Sequence, residues 1–362
     1  MDSRPSSLKV FHTARSATEG CRRLRFWVSC YHNTHSGARM GAKFVIGRCV
    51  DLRKYCWFSC LLVGLIAFMQ TNSSRKQLLR SSNLGPLQFH FIASTGSFKL
   101  RQLRSLESVY RAHPTACITL HHHAEKSDQI SLQALKHRII SSGYCFNLIE
   151  YSTRLVLDRL QRDAYISAEV VNTFRDSLTV HEAGSFWYSH ETDLVRLFVL
   201  WEFGGFYLDT DVIVLRSMSH LHNVIGLQEQ QYANGAVIQS MRRNPFIGWA
   251  LNEFLKSYNG SDWGANGPTL LTNLALSIRM CPEFDTVRCD MHILGQEAFE
   301  VIHYTNMLSA LQGGERKFNS SVYAFHYNNR LVGKWLDSSP TVPGTLAHQL
   351  MNSYCVFCDG TL

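Results

Sequence analysis

The sequence predicts an α/β protein with a mixed sheet flanked by helices and a single transmembrane helix near the N-terminus. Two observations support this fold class. Between residues 87 and 215, strand-like segments alternate with segments of helical periodicity, which is typical of parallel or mixed sheets covered by helices. Residues 55–74 contain no charged side chain. The chain has 362 residues, which is enough for one large domain with appendages.

The predicted elements alternate regularly along the first half of the domain. The helical segments repeat apolar residues every three or four positions, whereas the strands are short apolar runs. Gly204 and Gly205 mark the expected end of the longest helix. In chain order the sequence predicts a strand at 87–94, a helix at 98–113, a strand at 116–120, a helix at 128–142, a strand at 145–151, a helix at 191–203 and a strand at 206–215.

The basic charge is confined to the N-terminal tail. The net charge is +8, but residues 1–54 carry 11 Lys and Arg against 3 Asp and Glu. Residues 75–362 carry 25 of each sign. The neutral charge of the domain argues against a nucleic acid partner, because proteins that bind nucleic acids present a basic face.

Residues 55–74 are predicted to be a signal anchor that holds the protein in a membrane. The apolar part, 55–69, would be about 23 Å long as a helix, which suits a thin internal bilayer. The basic tail at 1–54 indicates a cytosolic N-terminus. A short stem at 75–86 would then lead to a luminal domain at 87–358. A buried core helix and an organelle transit peptide are the two alternatives.

Cysteines and glycosylation sequons favour an oxidising, luminal compartment. The domain contains an even number of cysteines, which suggests disulfides. The short spacing favours a Cys281–Cys289 pair, and the C-x-x-C at 355–358 could instead be a redox or zinc pair. Asn259 and Asn319 are predicted glycosylation sites. The cysteines concerned are Cys117, Cys145, Cys281, Cys289, Cys355 and Cys358.

Two carboxylates interrupt the apolar run at 206–215. If this run is one strand, Asp209 and Asp211 face the same side and can bind the same ion. Their hard oxygen ligands suit Mg²⁺ or Mn²⁺ carrying a diphosphate. On the preceding helix, Asp193 and Arg196 share a face. They form either a structural ion pair or a site for a ligand's hydroxyl groups.

Several other polar or aromatic clusters have a simpler interpretation. The histidines at 121–123 are predicted to lie in a polar loop, and Glu191 and Glu202 to be solvated helix charges. The aromatic run at 186–188 suits either core packing or stacking on a ligand. The first strand ends at 94–96 in small residues, without the glycine pattern of a dinucleotide-binding or phosphate-binding loop.

The run "ETDLVRLFVLWEFGGFYLDTDVIVL" resembles the signature of the DXD sugar transferases, glycosyltransferase family 32. Residues 88–358 as a whole resemble the α1,4-glycosyltransferase branch of that family. The later motifs that carry the resemblance are "NGAVIQS", "EFLKSYNG", "WGANGPTLLT", "GQEAFEVI" and "YAFHYNN". The sequence departs from the family's pattern at "GQEAF" and at Asn328, where the family tends to have Trp.

The resemblance implies a GT-A type, Rossmann-like fold, a UDP-sugar donor, Mn²⁺ or Mg²⁺, and transfer with retention. It implies a nucleotide-sugar-binding half at 87–216 and an acceptor half at 217–358. The implied metal ligands are Asp209, Asp211 and His326, and the implied catalytic residues are Asp209, Asp211 and Asn234. The implied donor-binding residues are Thr95, Asp193, Arg196, Gly205, Tyr207, Asp209 and His326, and the acceptor side is formed by Asn266, Gly267 and Pro268.

Three functions are compatible with these residues. The first is a Golgi membrane enzyme that adds galactose or N-acetylglucosamine in α1,4 linkage to a glycan or glycolipid acceptor. The second is a transferase that uses GDP-mannose. The third is a catalytically silent membrane protein that binds a nucleotide sugar or a glycan. For an enzyme, the sequence leaves open a front-face mechanism and a covalent carboxylate intermediate.

Overall fold

A seven-stranded mixed sheet organises the part of the chain that the structure, a computed structural model, describes. The described residues are 85–94, 98–229, 231–278, 290–339 and 341–358. The strands are β1 (Gln88–Ala93), β2 (Cys117–His123), β3 (Cys145–Tyr151), β4 (Gly205–Leu208), β5 (Val212–Val214), β6 (Val224–Glu229), β7 (Tyr232–Ser240), β8 (His292–Leu294) and β9 (Ala324–His326).

Helices connect and cover these strands. A π-helical turn at Ala265–Thr269 immediately precedes α8. The helices are α1 (Leu100–Ala112), α2 (Gln129–Ser141), α3 (Thr153–Gln161), α4 (Ala168–Asp176), α5 (Leu178–Glu182), α6 (Trp187–Phe203), α7 (Pro245–Lys256), α8 (Leu270–Ile278), α9 (Met307–Gln312), α10 (Asn329–Ser338) and α11 (Leu346–Asn352).

The large sheet has the strand order β3-β2-β1-β4-β7-β6-β8. The first four strands in this order are parallel, as expected when each strand returns through a helix. Strand β7 is antiparallel to both β4 and β6, and β8 is parallel to β6. The predicted mixed sheet flanked by helices is therefore confirmed.

Apolar side chains fill the space on both faces of this sheet. One cluster joins α6 and α7 to the sheet through residues such as Leu194 and Phe246. The other joins α1 and α2 through residues such as Leu103 and Leu132. A third cluster packs the small β5–β9 sheet against the C-terminal helices. Burial of these side chains stabilises the fold by about 1.5–3 kcal/mol for each large apolar residue.

The predicted single strand at 206–215 is wrong. Strand β4 ends at Leu208, β5 begins at Val212, and the residues between them form a turn. The Asp209 N–H donates to Ala236 O at 2.8 Å, and the Val212 N–H donates to Asp209 O at 3.2 Å. The chain thus leaves the large sheet, and β5 pairs with β9. The apolar composition on both sides of the two acids does not reveal this break.

Helix α6 ends where its glycines predict. The Gly204 N–H donates to Leu200 O at 2.9 Å, and both Gly204 and Gly205 have positive φ, at 68° and 92°. A Cβ on Gly204 would lie 2.4 Å from Arg242 N, and one on Gly205 would lie 2.7 Å from Gln88 O. Only glycine fits this close passage from helix to strand.

Two predictions of solvated polar groups are wrong. The histidines at 121–123 lie within β2 and are buried, not in a loop. Glu191 is only 1% exposed. Its carboxylate accepts hydrogen bonds from Thr153 Oγ1 at 2.7 Å and Lys126 Nζ at 3.0 Å. These partners, distant in sequence, compensate the burial of the charge.

The structure contains two disulfides among its described residues. Cys117 is bonded to Cys145 across the neighbouring strands β2 and β3, and Cys355 is bonded to Cys358. The C-x-x-C near the C-terminus is therefore a disulfide in this structure rather than a zinc pair. The expected Cys281–Cys289 pair lies outside the described residues.

The predicted anchor at 55–74 and tail at 1–54 also lie outside the described residues. Within the described ranges, no helix combines the length and apolar character needed to cross a membrane.

A buried ion pair on α1 holds the C-terminal segment. Arg104 Nη1 donates to Glu107 Oε2 at 2.9 Å, and both side chains are at most 3% exposed. Glu107 also accepts from the Val356 and Phe357 N–H groups at 2.8 and 3.2 Å. Arg104 donates to Phe357 O at 3.0 Å. The pair thus supplies hydrogen-bond partners for backbone N–H and carbonyl groups of a segment about 250 residues away along the chain.

We expect Glu107→Ala to lower the free energy of unfolding by about 3–5 kcal/mol, because it leaves Arg104 buried without its partner. Urea unfolding followed by circular dichroism measures this loss. The control is Glu125→Ala, which truncates an exposed glutamate and should change stability by no more than about 0.5 kcal/mol. Equal stabilities of the two variants would contradict the prediction.

Candidate functional site

Three potential metal ligands meet where the chain leaves the large sheet. Asp209 and Asp211 flank the turn after β4, and His326 ends β9. Because the β5–β9 register places Val212 opposite His326, the imidazole lies beside the acids. One ligand atom from each of the three side chains lies within 4.8 Å of the other two. Asp209 and Asp211 lie close together, as predicted, but they belong to a turn rather than to one strand. His326 reaches them from a second strand, β9.

Asp211 and His326 have mutually dependent protonation states. His326 Nε2 lies 3.3 Å from Asp211 Oδ2, and the Asn329 N–H donates to the same oxygen at 2.6 Å. Burial alone would lower the pKa of His326, but Glu300 and Asp211 outweigh it and raise the pKa well above its usual range. Burial opposes ionisation of Asp211, yet His326 lowers its pKa below the ordinary value.

The donor set fits a divalent cation. Two carboxylates supply the hard oxygen ligands that Mg²⁺ and Mn²⁺ prefer, and imidazole is a common additional ligand of transition metals. The Nδ1 atom of His326 is hydrogen-bonded to the Glu300 carboxylate. A carboxylate on the far nitrogen is the usual arrangement around a metal-bound histidine. A cation would replace the proton on His326 Nε2, the atom that faces Asp211, while Nδ1 keeps its proton toward Glu300.

The Asp193–Arg196 pair on α6 lies beside this cluster. Arg196 Nη1 lies 3.1 Å from Asp193 Oδ1, and Nη2 lies 3.0 Å from Asp209 Oδ1. The guanidinium also stacks over the Tyr207 ring at 4.8 Å, and the Tyr207 hydroxyl donates to Asp209 at 2.5 Å. Burial raises the pKa of Asp193 to about 6, although Arg196 opposes the shift. The pair is therefore both structural and part of the site.

Two glycines make room for these charged side chains. A Cβ on Gly235 would lie 2.1 Å from Arg196 Nη1. A Cβ on Gly267 would lie 2.6 Å from the nearer Asp193 carboxylate oxygen. Gly267 therefore touches the predicted donor side rather than a separate acceptor side. The need for close approach explains why these positions lack side chains.

The neighbouring acceptor-side residues have different surroundings. Asn266 is buried and braces its own loop, because its amide bonds both the N–H and the carbonyl of Asn259, at 2.9 and 2.7 Å. Pro268 lines the cleft with the metal-ligand candidates. Only Pro268 of these two is thus placed to meet a ligand directly.

Asn234 is close to the cluster, but its amide is already engaged. Its Nδ2 donates to Glu300 at 2.6 Å and to Gln228 at 3.2 Å, and its Oδ1 accepts from the Ala236 N–H at 2.7 Å. Glu300 was not singled out from the sequence. It lies inside the "GQEAFEVI" motif, and no local pattern predicts that its side chain reaches His326.

A cleft of about 730 Å³ contains most of the predicted site. Its walls include Asp193, Arg196 and the three metal-ligand candidates. Aromatic residues that the sequence did not indicate, Tyr232, Trp263 and Tyr304, also line the cleft. The Arg330 guanidinium lies 4.5 Å from the centre of the Trp263 ring.

Two of the predicted donor-binding residues that the structure describes, Gly205 and the buried Tyr207, do not line this cleft. Gly205 begins β4 and packs against Gln88, at the opposite end of the strand from Asp209. Thr95 lies outside the described residues. The glycosylation candidates Asn259 and Asn319 are both exposed, and each side-chain oxygen accepts from the N–H two residues later at 3.0 Å.

Comparisons with known proteins identify the family. Residues 99–232 match the glycosyltransferase sugar-binding region containing the DXD motif, and residues 239–361 match the α1,4-glycosyltransferase conserved region. The chain therefore belongs to the family of α1,4-glycosyltransferases with a DXD motif. The resemblance drawn from the sequence is confirmed.

Curated relatives agree with this assignment. Lactosylceramide 4-alpha-galactosyltransferase of Mus musculus is 33% identical over 45% of this chain and 47% of its own length. Human alpha-1,4-N-acetylglucosaminyltransferase is 28% identical over 40% of this chain and 44% of its own length. An uncharacterized Arabidopsis thaliana protein is 32% identical over 73% of this chain and 41% of its own length. The matched part spans about half the length of these relatives or less.

Solved glycosyltransferases show a more distant likeness. The PaToxG glycosyltransferase aligns with a TM-score of 0.40 at 19% identity, over 66% of this chain and 82% of its own. The galactosyltransferase LgtC, solved with donor and acceptor sugar analogs, aligns with a TM-score of 0.31 at 14% identity, over 67% of this chain and 87% of its own.

Proposed function

We propose that this protein is a metal-dependent, retaining glycosyltransferase with a GT-A type fold. It transfers a hexose, galactose or N-acetylglucosamine, from a UDP-sugar to a glycan or glycolipid acceptor in α1,4 linkage. One observation carries the proposal: the convergence of Asp209, Asp211 and His326 beside the buried Asp193–Arg196 pair in one cleft. A silent protein that binds a nucleotide sugar would use the same cation ligands, so turnover of the donor separates the two functions.

The cation held by the acids and the N-terminal end of helix α10 would bind the diphosphate. Asp209, Asp211 and His326 would hold Mn²⁺ or Mg²⁺, which neutralises charge on the departing nucleotide when bound. Helix α10 begins at Asn329, whose N–H points at Asp211. The positive end of a helix favours nearby negative charge, so this end of α10 supports a diphosphate position.

Asp193 and Arg196 would orient the donor sugar. Both side chains line the cleft, and Arg196 is fixed by Asp193, Asp209 and the Tyr207 ring. Among the described residues, Arg196 Nε is buried and has no hydrogen-bond partner. A buried donor without a partner is costly, and a sugar hydroxyl would supply the acceptor.

The reaction requires positioning more than a strong base. The bond between the anomeric carbon and the diphosphate oxygen breaks, a bond to the acceptor oxygen forms, and the acceptor's proton passes to the departing diphosphate. In this front-face arrangement the protein's contribution is to align both substrates and to stabilise the developing charge. The Asp209–Arg196–Tyr207 contacts preorganise that environment before any substrate binds.

A luminal Golgi location is part of the proposal. In this arrangement residues 1–54 are cytosolic, 55–74 are a type II signal anchor, and 87–358 form the catalytic domain with a nucleotide-sugar half at 87–216 and an acceptor half at 217–358. The two disulfides support an oxidising compartment. The exposed sequons at Asn259 and Asn319 are accessible to glycosylation.

The decisive test is donor turnover by the full chain, expressed through a secretory pathway. We expect Mn²⁺-dependent hydrolysis of UDP-galactose or UDP-N-acetylglucosamine, lost with chelator. Asp211→Asn should lower the rate by about 100-fold or more, because cation-mediated charge stabilisation is worth several kcal/mol. The control, Asp158→Asn, removes an aspartate whose partner Arg175 lies outside the cleft, and should retain full activity.

Other outcomes of this test distinguish the alternatives. Turnover of GDP-mannose alone would replace the UDP-hexose proposal with the mannosyltransferase. Binding of Mn²⁺ and UDP without turnover of any donor, with or without acceptor sugars, would favour the silent binding protein.

Gly267→Ala should weaken donor binding by about tenfold, because overpacking against Asp193 costs about 1–3 kcal/mol. Gly314→Ala is the matched control, since a Cβ there would have no neighbour within 4 Å and the residue does not line the cleft. The donor KM of each variant measures the effect. A normal KM in Gly267→Ala would show that Asp193 does not depend on this contact.

Trp263 is a suitable contact for an acceptor sugar, since its side chain lines the cleft and is 36% exposed although the Arg330 guanidinium lies over its ring. Its backbone is held by His190, whose Nε2 lies 3.2 Å from Trp263 O. We expect Trp263→Ala to raise the acceptor KM by about tenfold, which corresponds to about 1.4 kcal/mol, and to leave donor hydrolysis unchanged. Trp263→Phe should restore part of the affinity. A rise in the donor KM instead would contradict this role.

A further inference from the structure

Glu300 is a buried carboxylate next to the cleft whose role is not explained by substrate contact. Only 3% of its surface is exposed, and it does not belong to the cleft wall. A single oxygen, Oε1, accepts hydrogen bonds from His326 Nδ1 and from Asn234 Nδ2. These two partners come from different strands, β9 and β7. Glu300 therefore joins a candidate cation ligand to the wall of the donor site.

The backbone fixes Glu300 relative to its histidine partner. The His326 N–H donates to Phe299 O at 3.2 Å, and the Tyr323 N–H donates to Ala298 O at 2.9 Å. These bonds hold the segment that carries Glu300 alongside β9. The Glu300 backbone therefore stays beside His326, within reach of its side chain.

This contact selects one arrangement of the imidazole ring. A carboxylate at Nδ1 requires a proton on that nitrogen, which leaves Nε2 as the atom that can ligate a metal. Nε2 is also the atom that faces Asp211, at 3.3 Å. The geometry thus directs the ligating atom of His326 toward the two acids.

The same carboxylate orients the Asn234 amide. With Nδ2 donated to Glu300 and Gln228, Oδ1 is left to accept the Ala236 N–H at 2.7 Å. Between these residues lies Gly235, which packs against Arg196. A change at Glu300 is therefore transmitted both to the cation ligand and to the segment that contacts the donor-site arginine.

We propose that Glu300 is a positioning residue that presents His326 Nε2 to the divalent cation and locks the Asn234 segment against the donor site. The proposal rests on the proposed function for the identity of the cation. It assigns Glu300 no contact with substrate, so its effects should appear in cation affinity through His326.

The test measures Mn²⁺ affinity of the full chain without donor, from the free-ion signal in electron paramagnetic resonance. We expect Glu300→Ala to weaken binding by about 10- to 100-fold, the usual effect of losing a carboxylate behind a metal-bound histidine. Glu300→Gln keeps an oxygen acceptor and should give an intermediate loss. Because Glu300 acts through His326, the double variant Glu300→Ala/His326→Ala should bind Mn²⁺ no more weakly than His326→Ala alone.

The matched control is Glu297→Gln, which changes an exposed glutamate in the same segment and should bind Mn²⁺ like the wild type. Wild-type affinity in folded Glu300→Ala or Glu300→Gln would overturn the proposal, as would fully additive losses in the double variant. If Glu300→Ala does not fold, Glu300→Gln decides the question by the same criterion. A wild-type chain that binds no Mn²⁺ and turns over no donor would instead overturn the proposed function, and this inference with it.

Discussion

The site depends on the point at which the chain leaves the large sheet. The Asp209 N–H still bonds to β7, but two residues later the chain joins a different pairing, with β9. That pairing brings His326 to the acids from more than 100 residues further along the chain. A continuous strand would have kept Asp211 within the large sheet. The break in the strand therefore brings together the candidate cation ligands from two distant parts of the sequence.

The concentration of carboxylates around this break requires compensation. Asp193 and Asp209 share Arg196, while Asp211 and Glu300 share His326. Each positive group thus lies between two acids, and neither acid of a pair is left buried alone, which would cost several kcal/mol. Two positive groups compensate four carboxylates only in part, so the cluster stays negative before substrate binds, and this charge favours a cation. Before a cation binds, a proton on His326 compensates part of the negative charge of the acids. A bound cation would take over this role.

Local patterns predicted the elements but not the contacts that build the site. The β/α alternation and the helix end at Gly204 follow from periodicity and glycine, so both could be predicted from the sequence. The Asp193–Arg196 pair could also be predicted, because its two residues share one helix turn. The strand break before Val212 could not, because apolar residues lie on both sides of the acids. The role of Glu300 could not be predicted for another reason. Its partners, Asn234 and His326, are distant along the chain and contact it only after folding.

The two regions that match separate family descriptions form a single site. Asp193 belongs to the first region and Gly267 to the second, yet a Cβ on this glycine would collide with the Asp193 carboxylate. His326, from the second region, lies with Asp209 and Asp211 of the first in the candidate ligand set. Donor-side geometry is thus set partly by residues that the sequence assigned to the acceptor side. Under the proposed function, changes on the acceptor side would reach the donor through these contacts, so specificity for the two substrates would not divide cleanly between the two halves.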